Sequence, residues 1–210
     1  MAKVDILIPA AGAARRMRGA DKLMERIDGE PQLRRIAGMA ARVAAETAGS
    51  RVAHVFVTLP QTGPFAPGRR AALAGLSLRI LAIADAHEGM AASLRAGAHA
   101  AVDAEGLMVV PADMPDLTGA DLALMVERFR TDPSRVLRAT AAAGAPGHPV
   151  IFPRRLFGAL QVLSGEEGGR KVLAGEDVAT CTLPDEHAVC DLDTPEDWAE
   201  WRARRGTRPA

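Results

Sequence analysis

The sequence carries no excess charge of either sign: 26 Lys and Arg residues balance 26 Asp and Glu residues. That balance excludes a global electrostatic field for gathering nucleic acid or an anionic membrane surface. An anionic substrate must instead be held by local clusters of charge. Cysteine is scarce, and Cys181 and Cys190 match no metal-ligand spacing. They read as small inert residues, with a redox pair as the other reading. No apolar run approaches the roughly 20 residues of a membrane span. No secretory segment is visible, so a reducing cytoplasm is the expected location. Internal repeats and low-complexity linkers are also missing. What remains is a chain of 210 residues, nearly half apolar, long enough to bury a core without disulfides. The expected organisation is a single domain over residues 1–205 and a frayed tail over 206–210.

Hydrophobic patterning supplies the elements. Residues 4–9 (VDILIP) read as a strand buried on both faces. Further strands are predicted at 51–59, 76–84, 106–111, 135–141, 147–152 and 178–183. Helical spacing predicts helices at 31–47, 67–74, 90–102, 118–130, 154–163, 168–173 and 194–204. The clearest is 118–130, where Leu122, Met125, Val126 and Phe129 share a face behind a Thr118 cap with Asp121 three residues on. Strands and helices alternate over at least the first 130 residues. The fold class is therefore α/β, a three-layer Rossmann-like and mostly parallel sheet. Ligands on such sheets bind beyond the C-terminal strand ends.

Two segments lie at such ends. Residues 10–22 (AAGAARRMRGADK) match neither the P-loop nor a GxGxxG pattern. Small residues nevertheless let backbone N–H groups approach a triphosphate, and Arg15, Arg16, Arg18 and Lys22 supply positive charge. A plain basic surface loop is the other reading. Asp113, in Val110-Pro111-Ala112-Asp113-Met114-Pro115, is placed to hold Mg²⁺ through one carboxylate; an ordinary turn aspartate is the alternative. A third segment, Asp191-Leu192-Asp193-Thr194-Pro195-Glu196-Asp197, reads on its own as a capped helix start.

The order of these segments resembles the molybdenum cofactor nucleotidyltransferases, within the wider GT-A-like nucleotidyltransferase family. That family opens with a small Gly-containing loop, Arg-Met-Gly and a following Lys. This chain is similar at Ala10-Ala11-Gly12, Arg16-Met17 and Lys22. It departs at Ala14, where Ser is usual, and at Arg18, where Gly is usual. Gly19 follows at once, so a slip of the turn by one residue is expected. Glu88-Gly89-Met90 through Ser93-Leu94-Arg95 resembles the segment that reads the nucleobase. Asp113-Met114-Pro115 resembles the metal-binding motif, and Asp193-Thr194-Pro195-Glu196-Asp197 the closing motif. Gly147-His148-Pro149-Val150 and Gly168-Gly169-Arg170 resemble segments of the cytidylyltransferase branch.

The resemblance implies transfer of CMP from CTP to the phosphate of Mo-molybdopterin, with release of pyrophosphate. It implies that Arg16 and Lys22 stabilise charge on the phosphates, with Lys22 expected to be exposed. Ala10, Ala11 and Gly12 would contact the phosphates and Ser93 the base. Asp113 and Asp193 would hold Mg²⁺, with Asp191 as the fallback ligand. His148 is a candidate contact to the second substrate, or a loop histidine without a role. The implied partners are CTP, Mo-molybdopterin, molybdenum-insertion proteins and a molybdenum hydroxylase apo-enzyme, with no nucleic acid and no membrane. A guanylyltransferase of the same pathway, another small-phosphate nucleotidyltransferase and a non-catalytic nucleotide or cofactor carrier remain as alternatives.

Overall fold

A computed structural model describes residues 2–46, 52–165 and 168–206. Seven strands form one sheet: β1 (Val4–Pro9), β2 (Val52–Pro60), β3 (Arg79–Ile83), β4 (Gly106–Val109), β5 (Val136–Thr140), β6 (Pro146–Pro153) and β7 (Val178–Thr182). Their order is β3-β2-β1-β4-β6-β5-β7. Every pairing is parallel except the two made by β6, which runs antiparallel to both β4 and β5. The sequence expectation of a mostly parallel sheet therefore holds. The reversed strand follows from the short turn after β5, too brief for a crossover.

Helices α1 (Gln32–Glu46) and α4 (Gly119–Thr131) cover one face. Their Ile36, Met39, Val43, Met125 and Phe129 pack in one cluster with Ile6 and Ile8 of β1. The other face carries α3 (Met90–Ala100), α5 (Phe157–Gln161) and α6 (Gly168–Leu173), whose Leu94, Leu160 and Val172 join a second cluster with Leu7. β1 thus sends alternate side chains into both clusters, which is why it reads as a continuous apolar run. Helix α3 comes so close to β1 that a Cβ at Gly97 would lie 2.4 Å from a Leu7 methyl. Helix α2 (Ala66–Ala72) follows β2. Helix α7 (Pro195–Gly206) ends the described chain.

The Thr118 expectation is met in full: its side chain and that of Asp121 form a reciprocal capping box at α4. Three expectations change. Residues 154–163 are a 3₁₀ turn at Arg154–Leu156 followed by the short α5, not one helix. A two-stranded ribbon, Arg26–Ile27 with Glu30–Pro31, was not anticipated, although Asp28-Gly29 is a strong hairpin signal. Gly206 closes α7 instead of opening a tail. The expected helix end at 47, the strand start at 51 and the tail at 207–210 lie outside the described residues.

A third, smaller cluster joins the ends of the chain. Met17 and Ile27 pack with Cys190, Leu192, Trp198 and Trp201. The two indoles meet edge to face at 6.1 Å. Both cysteines are buried free thiols. Burial, aided by Asp116, pushes the Cys190 thiol up to about 12, and burial also raises Cys181. Such thiols are protonated and unreactive at neutral pH, which supports the inert reading.

Candidate active site

The sheet reverses its winding between β1 and β4. The loop after β1 and the segment containing Asp113 after β4 flank that switch point, where ligands bind in such sheets. Asp113 is fixed from two sides. The buried Gln32 amide donates to Ala112 O at 3.0 Å, and Leu192 N donates to Asp113 O at 3.1 Å. The second bond also brings up the neighbouring Asp193. Its backbone N–H and that of Thr194 donate to Asp197 Oδ2 at 3.0 and 2.8 Å. The Thr194 hydroxyl accepts from Asp197 N at 3.1 Å. The capped helix start predicted from sequence is thus the device that holds Asp193 in the cleft.

Lys22 lies between the two carboxylates. Its ammonium donates to Asp113 Oδ2 and, at 2.6 Å, to Asp193 Oδ1. Arg16 reaches the other Asp193 oxygen at 2.7 Å. The lysine side chain is only 17% exposed, which corrects the expectation of an exposed residue. Burial pulls its pKa down, but the Asp113 and Asp193 charges outweigh burial and hold it above the ordinary lysine value. Asp191, the fallback, is exposed on a neighbouring wall. Desolvation and then the Asp113 and Asp193 charges keep its pKa above the usual carboxylate value. The structure therefore gathers Arg16, Lys22, Asp113 and Asp193, residues scattered over some 180 positions.

The loop itself departs from expectation at one point. Arg18 adopts the left-handed conformation at φ 52°, and Gly19 has φ 93°. The turn does not slip onto the glycine; Arg18 takes the strained backbone that a glycine would take freely. Ala14 is also left-handed, at φ 48°. The Arg15 side chain lies outside the described part of the structure.

Two clefts meet at this group. The first, about 600 Å³, is lined by Ala10, Ala11, Gly12, Phe65, His87 and Ser93, with Arg16, Lys22, Asp113 and Asp193 at its edge. Ser93 is buried, and Thr58 donates to its hydroxyl at 2.9 Å. Thr58 Oγ1 in turn accepts from Ala10 N at 3.2 Å. The second cleft, about 580 Å³, shares the same four residues. Its other walls include Arg138, His148, Val150, Phe152 and Arg170 from β5, β6 and α6, with Leu94 of α3 and Val109 of β4.

His148 is set by its neighbour: a Cβ at Gly147 would lie 1.7 Å from Ala188 O. Only glycine lets the strand approach that closely, and His148 N then donates to Ala188 O at 2.7 Å. Burial, and then the positive charge of Arg138, lower the His148 pKa to about 4. The ring is neutral at pH 7, and its buried Nδ1 has no partner among the described residues. Arg138 donates to the carbonyls of Gly147 and Pro146 at 3.1 and 3.3 Å. Among the described residues no carboxylate is paired with Arg138 or Arg170.

One member of the first cleft escaped sequence reading. Arg69, on α2, is 0% exposed. It grips Asp21 with two bonds of 2.8 Å and donates at 2.7 Å to each of Ala10 O and Gly12 O. In sequence it sits in Gly68-Arg69-Arg70, which looks like a solvated basic turn. No local signal marks it.

The Asp113 and Asp193 carboxylates, close enough to share one ammonium, are an oxygen donor set suited to a hard divalent cation. Such a cation binds through one or two carboxylates plus phosphate oxygens and water. Among the described residues, no group of three or more His, Cys, Asp or Glu forms a fuller ligand cage. No helix of the described residues is long and apolar enough to cross a membrane.

Similar proteins share this frame. Rv0371c from Mycobacterium tuberculosis H37Rv is 26% identical, with a TM-score of 0.74 over 95% of this chain and 96% of that one. The same protein solved with manganese is 25% identical, with a TM-score of 0.71 over 95% and 97%. A CMP:2-keto-3-deoxy-manno-octonic acid synthetase complexed with CTP is 18% identical, with a TM-score of 0.71 over 98% and 99%, and shows the shared fold. None of the curated proteins matches the chain. The model of the MobA-like NTP transferase domain matches residues 6–181. With that match spanning most of the sequence, the chain belongs to the MobA-like NTP transferase domain family of nucleotidyltransferases.

Proposed function

We propose that this nucleotidyltransferase transfers CMP from CTP to the phosphate of Mo-molybdopterin and releases pyrophosphate. The observation that carries the reading is Lys22, bonded to Asp113 and Asp193 at the boundary of two clefts of similar size. A donor nucleotide in the first cleft and an acceptor in the second would meet at that boundary. CTP as donor and molybdopterin as acceptor rest on the resemblance of residues 10–22, Gly147-His148-Pro149-Val150 and Gly168-Gly169-Arg170.

The acceptor phosphate oxygen attacks the α-phosphorus in line, and the bond from that phosphorus to the β-phosphate oxygen breaks. The nucleophile is already ionised, so no general base is needed, and positioning and charge neutralisation do the catalysis. Lys22 and Arg16 neutralise charge on the α-phosphate and the departing pyrophosphate. The Ala10–Gly12 backbone lines the phosphate path, and Ser93 faces the base. Asp113 and Asp193 would hold Mg²⁺ once Lys22 turns to the phosphates, and the ion would screen the phosphate charge. The cation-lined second cleft suits an anionic acceptor, and neutral His148 offers it one hydrogen-bonding nitrogen.

The test is pyrophosphate release measured with CTP, GTP, ATP and UTP, with Mg²⁺ and Mo-molybdopterin. Release with CTP well above the others is expected. Release with GTP alone would move the protein to the guanylyltransferase branch. Nucleotide binding without release would make it a carrier.

A further inference from the structure

Residues 10–13 line the first cleft, and something must set the direction of their amides. In a trans peptide the carbonyl of one residue and the N–H of the next point opposite ways. Arg69 Nη1 draws Ala10 O and Gly12 O toward itself, each at 2.7 Å. The N–H groups of Ala11 and Ala13 must then point away from Arg69. Arg69 is fully buried and Ala13 is exposed, whereas Ala11 is itself buried. At Ala13, pointing away from Arg69 is therefore pointing outward. Among the described residues, no backbone acceptor takes the N–H of Ala11, Gly12 or Ala13.

The same guanidinium binds both oxygens of Asp21, the residue before Lys22. Asp21 also accepts from Leu23 N at 3.1 Å and so fixes the turn that carries Lys22. One side chain thus ties both ends of the loop: residues 10 and 12 at its start, and 21 at its finish. The Phe65 ring lies 5.3 Å from the guanidinium on the cleft side of α2.

We infer that Arg69 is the positioning residue of the phosphate site: by holding Ala10 O and Gly12 O it turns the Ala13 amide toward the nucleotide phosphates and sets the distance from the loop to Lys22. It touches no substrate atom. This role rests on the nucleotide-binding reading of the first cleft. A guanidinium is required because its planar fork can serve one carboxylate and two carbonyls at once, whereas an ammonium cannot.

Removing Arg69 alone would strand the buried Asp21 charge and threaten the fold. The informative variants are therefore R69K, which keeps the charge, and the double variant R69M/D21N, which removes both charges and keeps the cap on Leu23. Stability without ligand is measured by denaturant unfolding, and affinity for each of the four Mg²⁺–nucleoside triphosphates by calorimetry. Misplacement of a loop by about 1 Å can cost a factor of about 10² in rate. Both folded variants should lose up to about a hundredfold in kcat/KM, with a clear fall in triphosphate affinity. Mn²⁺ affinity measured without nucleotide should stay at the wild-type value. Wild-type triphosphate affinity in either folded variant would overturn the role and leave Arg69 a stabilising residue only. A wild-type protein that binds no nucleoside triphosphate would instead overturn the reading of the cleft itself.

Discussion

On the proposed reading, the groups aimed at the nucleotide in the first cleft are backbone amides of the Ala10–Ala13 loop, held from beneath by a buried guanidinium. In the second they are the side chains of Arg138, His148 and Arg170, standing on β5, β6 and α6. The two clefts share Lys22 but use different materials. Amides fixed by a staple cannot reorient, so the first cleft is suited to one rigid and recurring group, a triphosphate. Side chains can be exchanged without disturbing the backbone, so the second is where a family would change acceptors.

That contrast can be broken at several points. The largest effect belongs to the shared residue: K22A should lower kcat by about 10²–10³ with either substrate saturating. Steady-state turnover near the wild-type rate would mean that the phosphates lie elsewhere. The next concerns His148. Its pKa in the folded chain is about 4 against an ordinary value of 6.5. The folded state therefore favours the neutral ring, a stabilisation complete above pH 6.5 and lost as pH falls toward 4. The shift corresponds to about 3 kcal/mol. Urea unfolding at pH 7 and pH 4.5 should show H148Q losing less stability than wild type over that interval. Equal losses would show that His148 titrates normally.

Smaller effects separate the clefts. R138M and R170M should each raise KM for the acceptor about tenfold, the worth of a charge-assisted hydrogen bond, and leave KM for the nucleotide unchanged. A parallel rise in both constants would mean that the clefts are not independent. Smallest is R18G. It relieves left-handed strain of about 1–2 kcal/mol but adds chain entropy and gives up the exposed 2.6 Å pair with Glu196. A net gain of about 0.5 kcal/mol is expected from thermal unfolding; a loss would show the Glu196 pair to be the stronger term.

The sequence made β1, β2 and β4 legible because strands buried on both faces are apolar throughout. It made α4 legible through its period and its cap. The short 141–145 connection carried the direction of β6, but nothing local carried its insertion between β4 and β5, which is a long-range choice. Lys22, Asp113 and Asp193 were each readable as candidates, yet only their order, compared with a known family, joined them. Arg69 was invisible because burial of a charge depends on partners 48 and 59 residues away. The hairpin at Asp28-Gly29 did carry a local signal, with both residues at positive φ as a type I′ turn requires.

The capped start of α7 has a consequence in time. Asp113 acquires Asp193 only after another 80 or so residues have been made. At about 5–20 residues per second that is a delay on the order of 4–16 s. Throughout it a growing chain holds β1, β4 and the stapled loop but only half of the carboxylate pair. The carboxylate pair is thus completed late, when Thr194 and Asp197 close on each other beyond the sheet.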